Sequence, residues 1–293
     1  MSLTKKIIRE PIRIFVDLYY FFNTGFKKPV SFFCNFILPY QNLRIKIDSY
    51  LTKLYQNKFM NLEKDLQKKK QLEKMYYEGV IKIENFYNFE DTELLIKLID
   101  QKNQKELAKI IEKTKEKVLK KMIYYLSFLR GENLNIDSLY FSFLCHAKGD
   151  ALDNDRFHSD VFSHSPKAFI YIHNVDLDGR PFLYLVGSHK DYKSRNDLEK
   201  ITNKSIYYET SKFGYKSSRI EENINYQKDY IKKYQKFIGI VKAGSAIFAD
   251  TSGFHAKGSG NKPRYTFQVA TKRKNLINKI LSIIWIKKFI SLN

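Results

Sequence analysis

The spacing of apolar positions divides the chain into a helical first part and a β-rich second part. Across residues 43–75 apolar side chains recur at helical spacing, at Ile47, Leu51, Leu54, Tyr55, Phe59 and Leu62. Residues 80–86 alternate as a strand, and 92–100 and 105–130 are predicted as helices. From Leu139 onward the apolar runs are short and β-type, at 139–145, 168–173, 182–186, 237–241, 245–249 and 264–270. Such successive short strands predict a jelly-roll barrel, hence a mainly β fold with helical additions.

These patterns predict three segments along the chain. We expect a basic helical extension over residues 1–75, a β-rich domain over 76–272 and a short basic amphipathic helix over 273–293. The polar stretch 191–236 has no clear strand, so it is predicted to be an insertion that covers the barrel mouth. In the last segment the apolar residues share one broad helical face, made of Ile277, Ile280, Leu281, Ile284 and Trp285.

Three residues of the predicted barrel have the chemistry of a metal site. His158 and Asp160 are two positions apart, so on a strand both side chains point to the same side while Ser159 faces away. His255 lies far along the chain, on a strand that can fold back alongside. Two imidazoles and one carboxylate hold a non-haem ferrous ion on one triangular face and leave positions open for a cosubstrate and dioxygen. The three residues are therefore predicted metal ligands and catalytic residues.

A predicted anion-binding pair follows the third ligand. Arg264 lies nine residues after His255, in the alternating run of residues 263–267. Its guanidinium can project into the same barrel, and Thr266 faces the same way two residues on. A planar guanidinium binds a carboxylate at two points, which suits a dicarboxylate such as 2-oxoglutarate. Arg264 and Thr266 are the predicted cosubstrate-binding residues.

The remaining histidines are interpreted as non-ligands. His189 is the rival to His255, but it lies only twenty-nine residues after Asp160. The strands that must intervene need at least ~35 residues, so His189 is assigned to the turn that contains Gly187 and Ser188. His146 is interpreted as a structural or surface residue, and His164 as a solvated loop residue. His173 is interpreted as a hydrogen-bonded core or rim residue.

Several segments in one order resemble a known enzyme family. They are residues 156–160 with the His-Ser-Asp run, the strand 168–172, the Gly-Ser-His turn of 185–190, and the run 243–255 that ends at His255. Together with an opening strand over 77–86, they resemble the phytanoyl-CoA dioxygenase family of iron(II)- and 2-oxoglutarate-dependent oxygenases. The resemblance covers about residues 77–272. One stretch departs from it: the family usually has an acidic-Asn-Gly-Pro sequence where this chain has Leu-Asp-Gly-Arg-Pro-Phe at 177–182.

The resemblance implies a double-stranded β-helix core, of the jelly-roll or cupin-like kind, and an oxidative reaction. In such enzymes 2-oxoglutarate chelates iron(II) and dioxygen is the second cosubstrate, while Arg264 would bind the distal carboxylate. A related halogenase leaves the carboxylate position vacant for halide, whereas Asp160 fills it here. Hydroxylation or desaturation is therefore expected. The substrate is expected to be a small molecule, a sugar or a lipid.

The charge of the chain adds a predicted partner. The net charge is +21, and its excess lies at the two ends. Residues 1–75 have fifteen Lys or Arg against six Asp or Glu, and residues 271–293 have six against none. Basic ends with aromatic and aliphatic residues, including the segment 12–22, fit an anionic membrane surface as well as nucleic acid. No nucleic-acid-binding motif is found, so nucleic acid is disfavoured. Codon bias is an equally good explanation of the lysines.

The composition also limits the compartment and the alternative functions. Cys34 and Cys145 are the only cysteines, which suits a reducing, cytoplasmic location, peripheral to the inner membrane if the basic ends bind it. No P-loop and no Gly-x-Ser-x-Gly elbow occurs. Two other classes stay open: a catalytically silent binding or membrane-scaffold protein on the same fold, and a nucleic-acid-binding or modifying protein.

Overall fold

The computed structural model describes residues 38–89, 92–101, 104–146, 156–160, 164–191, 225–271 and 276–291. The helices within these ranges are α1 (Leu38–Leu62), α2 (Leu66–Glu78), α3 (Thr92–Asp100), α4 (Gln104–Arg130), α5 (Asn225–Lys232) and α6 (Leu276–Ile290). The strands are β1 (Val80–Ile83), β2 (Leu139–His146), β3 (Pro166–Tyr171), β4 (Phe182–Leu185), β5 (Lys236–Gly239), β6 (Ala246–Asp250), β7 (His255–Lys257) and β8 (Arg264–Thr271). The predicted segment 12–22 lies outside the described residues.

The strands form two antiparallel sheets. One has five strands in the order β1-β6-β3-β8-β2, and the other has three in the order β5-β4-β7. An isolated antiparallel bridge between His158 and His255 extends the smaller sheet beyond β7. After β3 the chain crosses to the smaller sheet for β4 and β5, returns to the larger sheet for β6, and crosses again for β7 before it ends in the larger sheet at β8. Such crossing between two antiparallel sheets is the topology of a jelly roll. This confirms the predicted double-stranded β-helix with helical additions.

Alternation along β3 divides its side chains between two apolar clusters. Ala168 and Ile170 belong to the cluster beneath the helices, whereas Phe169 and Tyr171 belong to a second cluster between the sheets, together with Phe182. Successive side chains of a strand point to opposite faces, so this division is the expected one. A side chain on the Phe169 face of β3 consequently points into the barrel.

The helical layer covers the larger sheet. Helix α4 contacts β2, β3, β6 and β8, and α1 and α2 pack against α4. The periodic stretch 43–75 is not one helix, because α1 ends at Leu62 and α2 begins at Leu66. Asp65 starts the second helix: its carboxylate accepts the backbone N–H groups of Gln67 and Lys68 at 2.8 and 3.1 Å.

The turn after α2 requires glycine. Gly79 has φ +77°, in the left-handed region, and its N–H donates to the carbonyl of Met75. A Cβ at this position would lie 2.3 Å from Nδ1 of His189 and 2.5 Å from the hydroxyl of Tyr184. The backbone of the α2–β1 turn and the ring of His189 therefore fit together only because the side chain is absent.

Helix α6 is attached to α1 through polar groups. Nζ of Lys279 lies 2.7 Å from Oδ1 of Asp48, and the ammonium also donates to the hydroxyl of Thr52. Lys279 is only 2% exposed. One turn further on, Oγ of Ser282 accepts the backbone N–H of Asn133 at 3.0 Å. The C-terminal helix thus belongs to the helical layer, with a buried ion pair at its contact.

We expect that removing one member of the Lys279–Asp48 ion pair destabilises the protein strongly, whereas replacing both members by apolar residues destabilises it little. Lys279→Met should lower the free energy of unfolding by about 3–5 kcal/mol, because a buried carboxylate then loses its partner. Adding Asp48→Leu should recover most of that loss. Urea unfolding measures both variants, with the exposed Lys287→Met as control. A double variant as unstable as the single one would contradict this account.

Candidate metal centre

A backbone bridge brings the first and third predicted ligands together. The N–H of His158 donates to the carbonyl of His255 at 2.9 Å, and the N–H of His255 donates to the carbonyl of His158 at 2.9 Å. The two rings lie side by side, with centroids 4.5 Å apart. Two residues on, the N–H of Asp160 donates to the carbonyl of Thr251 at 3.0 Å. The spacing and the long gap noted in the sequence thus converge on one place.

The three side chains form a cluster with metal-site dimensions. One ligand atom from each of His158, Asp160 and His255 lies within 4.8 Å of the others. Nε2 of His158 is 3.9 Å from Oδ1 of Asp160, and Nε2 of His255 is 3.6 Å from Oδ2. Both histidines are buried, while the Asp160 side chain is 23% exposed. The cluster is therefore closed on the barrel side and open beside Asp160.

The hydrogen bonds of both imidazoles favour the tautomer that a metal needs. Nδ1 of His158 lies 2.9 Å from the carbonyl of Arg156, and Nδ1 of His255 lies 3.1 Å from the carbonyl of Gly253. A carbonyl only accepts, so each Nδ1 carries the proton and each Nε2 presents a lone pair to Asp160. Burial lowers the pKa of His255 to about 3, which keeps that ring neutral. The donor set therefore fits a divalent ion.

Lys167 is a charged neighbour of this cluster that the sequence reasoning missed. Its Nζ lies 2.7 Å from Oδ2 of Asp160. Burial alone would raise the pKa of the Asp160 carboxyl, but His255 and Lys167 hold that pKa below its usual range. The signal was present in the alternation of β3, because Lys167 is two residues before the inward-facing Phe169. A lysine on that face points into the barrel.

Arg264 and Thr266 lie where the sequence predicted, on the inner face of β8. Tyr265, Phe267 and Val269 belong to the cluster under the helices, so the alternate residues face the space between the sheets. Both predicted residues are buried, and Nη1 of Arg264 donates to the carbonyl of Arg180. Oγ1 of Thr266 has no hydrogen-bond partner within the described part of the chain. A buried hydroxyl without such a partner is suited to form a hydrogen bond with a polar ligand.

Tyr171 is a second residue that the sequence reasoning did not assign to the site. It is paired with Thr266 across β3 and β8, on the face that points into the barrel. Burial raises the pKa of Tyr171 to about 12 although the charge of Arg264 lowers it, so its hydroxyl stays protonated. A guanidinium and two hydroxyl-bearing residues thus line one part of the barrel, which matches the needs of a carboxylate.

His164 corrects one prediction. The sequence indicated a solvated loop histidine, but the ring is buried and its Nδ1 pairs with Oδ2 of Asp250. The other oxygen of Asp250 accepts the N–H groups of Ser165 and Ser252 at 3.1 and 3.0 Å. Asp250 directly precedes Thr251, whose carbonyl positions Asp160. The prediction was wrong because the partner carboxylate is 86 residues away in sequence.

The two remaining described histidines stand apart from the metal cluster. His173 is half-buried, with Nδ1 2.8 Å from the carbonyl of Asn174, and Nε2 accepts the N–H of Tyr265, as expected for a hydrogen-bonded rim residue. His189 packs beside Gly79 instead, in the turn after Gly187. The side chain of His146 lies outside the described residues.

Comparisons with known proteins give remote structural similarities. No family model and no curated protein matches the chain. The non-heme alpha-ketoglutarate-dependent carbocyclase SnoK from nogalamycin biosynthesis is 13% identical, with TM-score 0.46, over 68% of this chain and 81% of that chain. EvdO2 from Micromonospora carbonacea var. aurantiaca, complexed with 2-oxoglutarate, is 10% identical, with TM-score 0.40, over 70% and 91%. HygX from Streptomyces hygroscopicus with iron bound is 10% identical, with TM-score 0.41, over 69% and 84%.

These similarities concern the fold alone. By its own coordinates the protein is a jelly roll with a His-Asp-His cluster, whose two histidines are buried, and with Arg264 buried on the inner face of β8.

The buried His189 should make stability depend on pH. Burial lowers its pKa to about 3, against about 6.5 in an unfolded chain. The unfolded state therefore binds a proton that the folded state does not, and stability falls as pH drops below 6.5. His189→Gln should flatten this dependence by about 2 kcal/mol between pH 7 and pH 5. Urea unfolding at both pH values tests this, and equal slopes for the two proteins would refute it.

Proposed function

We propose that the chain is an iron(II)- and 2-oxoglutarate-dependent oxygenase that resembles the phytanoyl-CoA dioxygenase family. The observation that carries this proposal is the cluster of Asp160 with the buried His158 and His255, in which both Nδ1 atoms are directed at backbone carbonyls. When bound there, iron(II) would couple the oxidative decarboxylation of 2-oxoglutarate by dioxygen, giving succinate and carbon dioxide, to oxidation of the substrate.

The protein's own residues have distinct roles in this proposal. His158, Asp160 and His255 hold the metal, while Arg264 and Thr266 bind the distal carboxylate of 2-oxoglutarate. The carbonyl of Arg180 accepts from Nη1 of Arg264 and so fixes the guanidinium. The barrel interior excludes bulk water around these groups, which strengthens the charge pairing of guanidinium and carboxylate.

Hydroxylation is the reaction type we favour. Asp160 supplies a carboxylate to the metal, so no position is left vacant for a halide, and Lys167 secures that carboxylate at 2.7 Å. One oxygen atom of dioxygen would enter succinate and the other the substrate, so that a C–H bond becomes C–OH. The substrate class we propose is a small molecule, a sugar or a lipid, handled by a cytoplasmic enzyme.

Succinate formation separates this proposal from its main alternative. A catalytically silent binding protein on the same fold would bind metal without turnover. Purified protein with iron(II), 2-oxoglutarate and ascorbate in air should form succinate even without substrate, at a low uncoupled rate. No succinate from metal-loaded protein, or succinate at the same rate from Asp160→Ala, would favour the silent protein.

Metal binding is expected to need His255 and not His189. Anaerobic titration with Co²⁺ should show one site in the wild type. His255→Ala should weaken it by roughly a hundredfold or more, since loss of a supporting residue alone costs about 10–100-fold. His189→Gln should bind nearly as the wild type does. The reverse pattern would show that the ligand set contains the other histidine.

Arg264 is expected to control 2-oxoglutarate affinity through its planar geometry. Arg264→Lys keeps the charge but loses the two-point contact, so binding to the Co²⁺-loaded protein should weaken by about 1–3 kcal/mol. Isothermal titration under anaerobic conditions measures this. Lys262→Ala is the matched control, because that exposed side chain pairs with Asp176 on the surface. Affinity that is unchanged in both Arg264→Lys and Arg264→Ala would refute the assignment.

A further inference from the structure

Helix α6 exposes several large apolar side chains although it buries two polar ones. Lys279 and Ser282 are buried against the protein, whereas Ile284 and Trp285 are 60% and 59% exposed. Ile280 and Leu281 are also exposed. A surface helix of a globular protein normally buries its apolar stripe and exposes its charges. The apolar face of α6 is therefore available to something outside the described structure.

The polar contacts beneath α6 hold this orientation in place. Lys279 is ion-paired with the buried Asp48, and Ser282 accepts the N–H of Asn133. On the same side, Ile286 is fully buried and Phe289 packs its ring 6.4 Å from that of Phe59. Rotating α6 to bury the exposed apolar side chains would break the ion pair and leave a carboxylate without its partner.

Helix α1, which packs against α6, also exposes large apolar side chains. Nζ of Lys58 in α1 donates to the carbonyl of Ile283 at 2.9 Å. Ile47, Tyr50 and Leu54 of α1 are exposed. We define the α1–α6 face as the exposed apolar side chains of the two helices: Ile47, Tyr50, Leu54, Ile280, Leu281, Ile284 and Trp285. Exposed apolar residues are common singly, but a group of this size on two contacting helices indicates a binding surface.

The exposed charges that the structure describes on α1 and α6 have one sign. Among the side chains described on these two helices, the exposed charged ones are lysines, at Lys46, Lys53, Lys58, Lys287 and Lys288. The one acidic residue in the sequence of either helix is Asp48, which is buried. A second copy of the chain would set these lysines against each other, since an isologous contact pairs a patch with itself. An anionic partner is the complementary one.

We propose that the α1–α6 face docks on an anionic membrane surface. Its chemistry is that of an interfacial helix: apolar side chains enter the boundary between headgroups and acyl chains, lysines contact anionic headgroups, and Trp285 sits at the level where indole rings are favoured. Within the described ranges, no helix has the length and apolar character needed to cross a bilayer. The proposal is independent of the metal cluster and holds whether or not the protein is an oxygenase.

Vesicle sedimentation with the full-length chain tests this directly. We expect binding to vesicles of phosphatidylcholine and phosphatidylglycerol in equal parts, little binding to phosphatidylcholine alone, and release at high salt. Replacing both Lys287 and Lys288 by Gln should weaken binding about thirtyfold, at about 1 kcal/mol for each basic residue. The control is the Gln variant of Lys232 and Lys233, an equally exposed adjacent pair at the end of α5.

The apolar side chains are tested in the same way. The double variant Ile284→Ser with Trp285→Ser should weaken vesicle binding by tenfold or more, because each side chain loses its transfer from water. Leu177→Ser is the control, as its side chain is 63% exposed far from either helix in sequence. All replaced side chains are exposed, and thermal melts should confirm that the variants stay folded. Trp285 fluorescence should shift to the blue with anionic vesicles.

Three results would overturn the proposal. Equal binding to neutral and anionic vesicles would remove the role of charge. Vesicle binding that the α1–α6 face variants leave unchanged would place the contact elsewhere, for instance in residues 1–37. Absence of vesicle binding, together with a dimer in sedimentation equilibrium that the Ile284→Ser and Trp285→Ser variant dissociates, would assign the face to a second copy of the chain.

Discussion

The paired backbone hydrogen bonds between His158 and His255 are the constraint on which the site depends. They extend the smaller sheet beyond β7 and fix the two imidazoles beside each other. Because the carbonyls of Arg156 and Gly253 orient the rings as well, both histidines are positioned by main chain rather than by flexible side chains. A site built in this way needs little ordering of its histidine side chains when an ion binds.

The electrostatic balance of the centre follows from burial. Asp160 is the acidic member of the cluster, and the ammonium of Lys167 already offsets its charge. Both His158 and His255 are buried, and burial keeps His255 neutral. A divalent ion bound there would add charge to a nearly neutral pocket, which favours anions as further ligands. The positive charge of Arg264 on the inner face of β8 also favours binding of an anion inside the barrel.

Sequence reasoning identified the parts of this protein that local pattern determines. The two-residue spacing of His158 and Asp160, and the alternation that turns Arg264 and Thr266 to one side, depend only on strand geometry, so the structure reproduces them. Contacts between distant segments were not predictable: the pairing of His164 with Asp250 needs the fold itself, and so does that of Lys279 with Asp48. Lys167 is an intermediate case. The alternation of β3 predicts that its side chain points into the barrel, but the sequence does not reveal that it pairs with Asp160.

The link between α1 and α6 also has a consequence for how the chain folds during synthesis. Asp48 is made early, whereas Lys279 follows every strand of the barrel. Until α6 emerges from the ribosome, the buried position of Asp48 has no ammonium to match it, and its carboxylate is better solvated outside than in. The helical layer over the larger sheet can therefore be completed only after both β8 and α6 have been made.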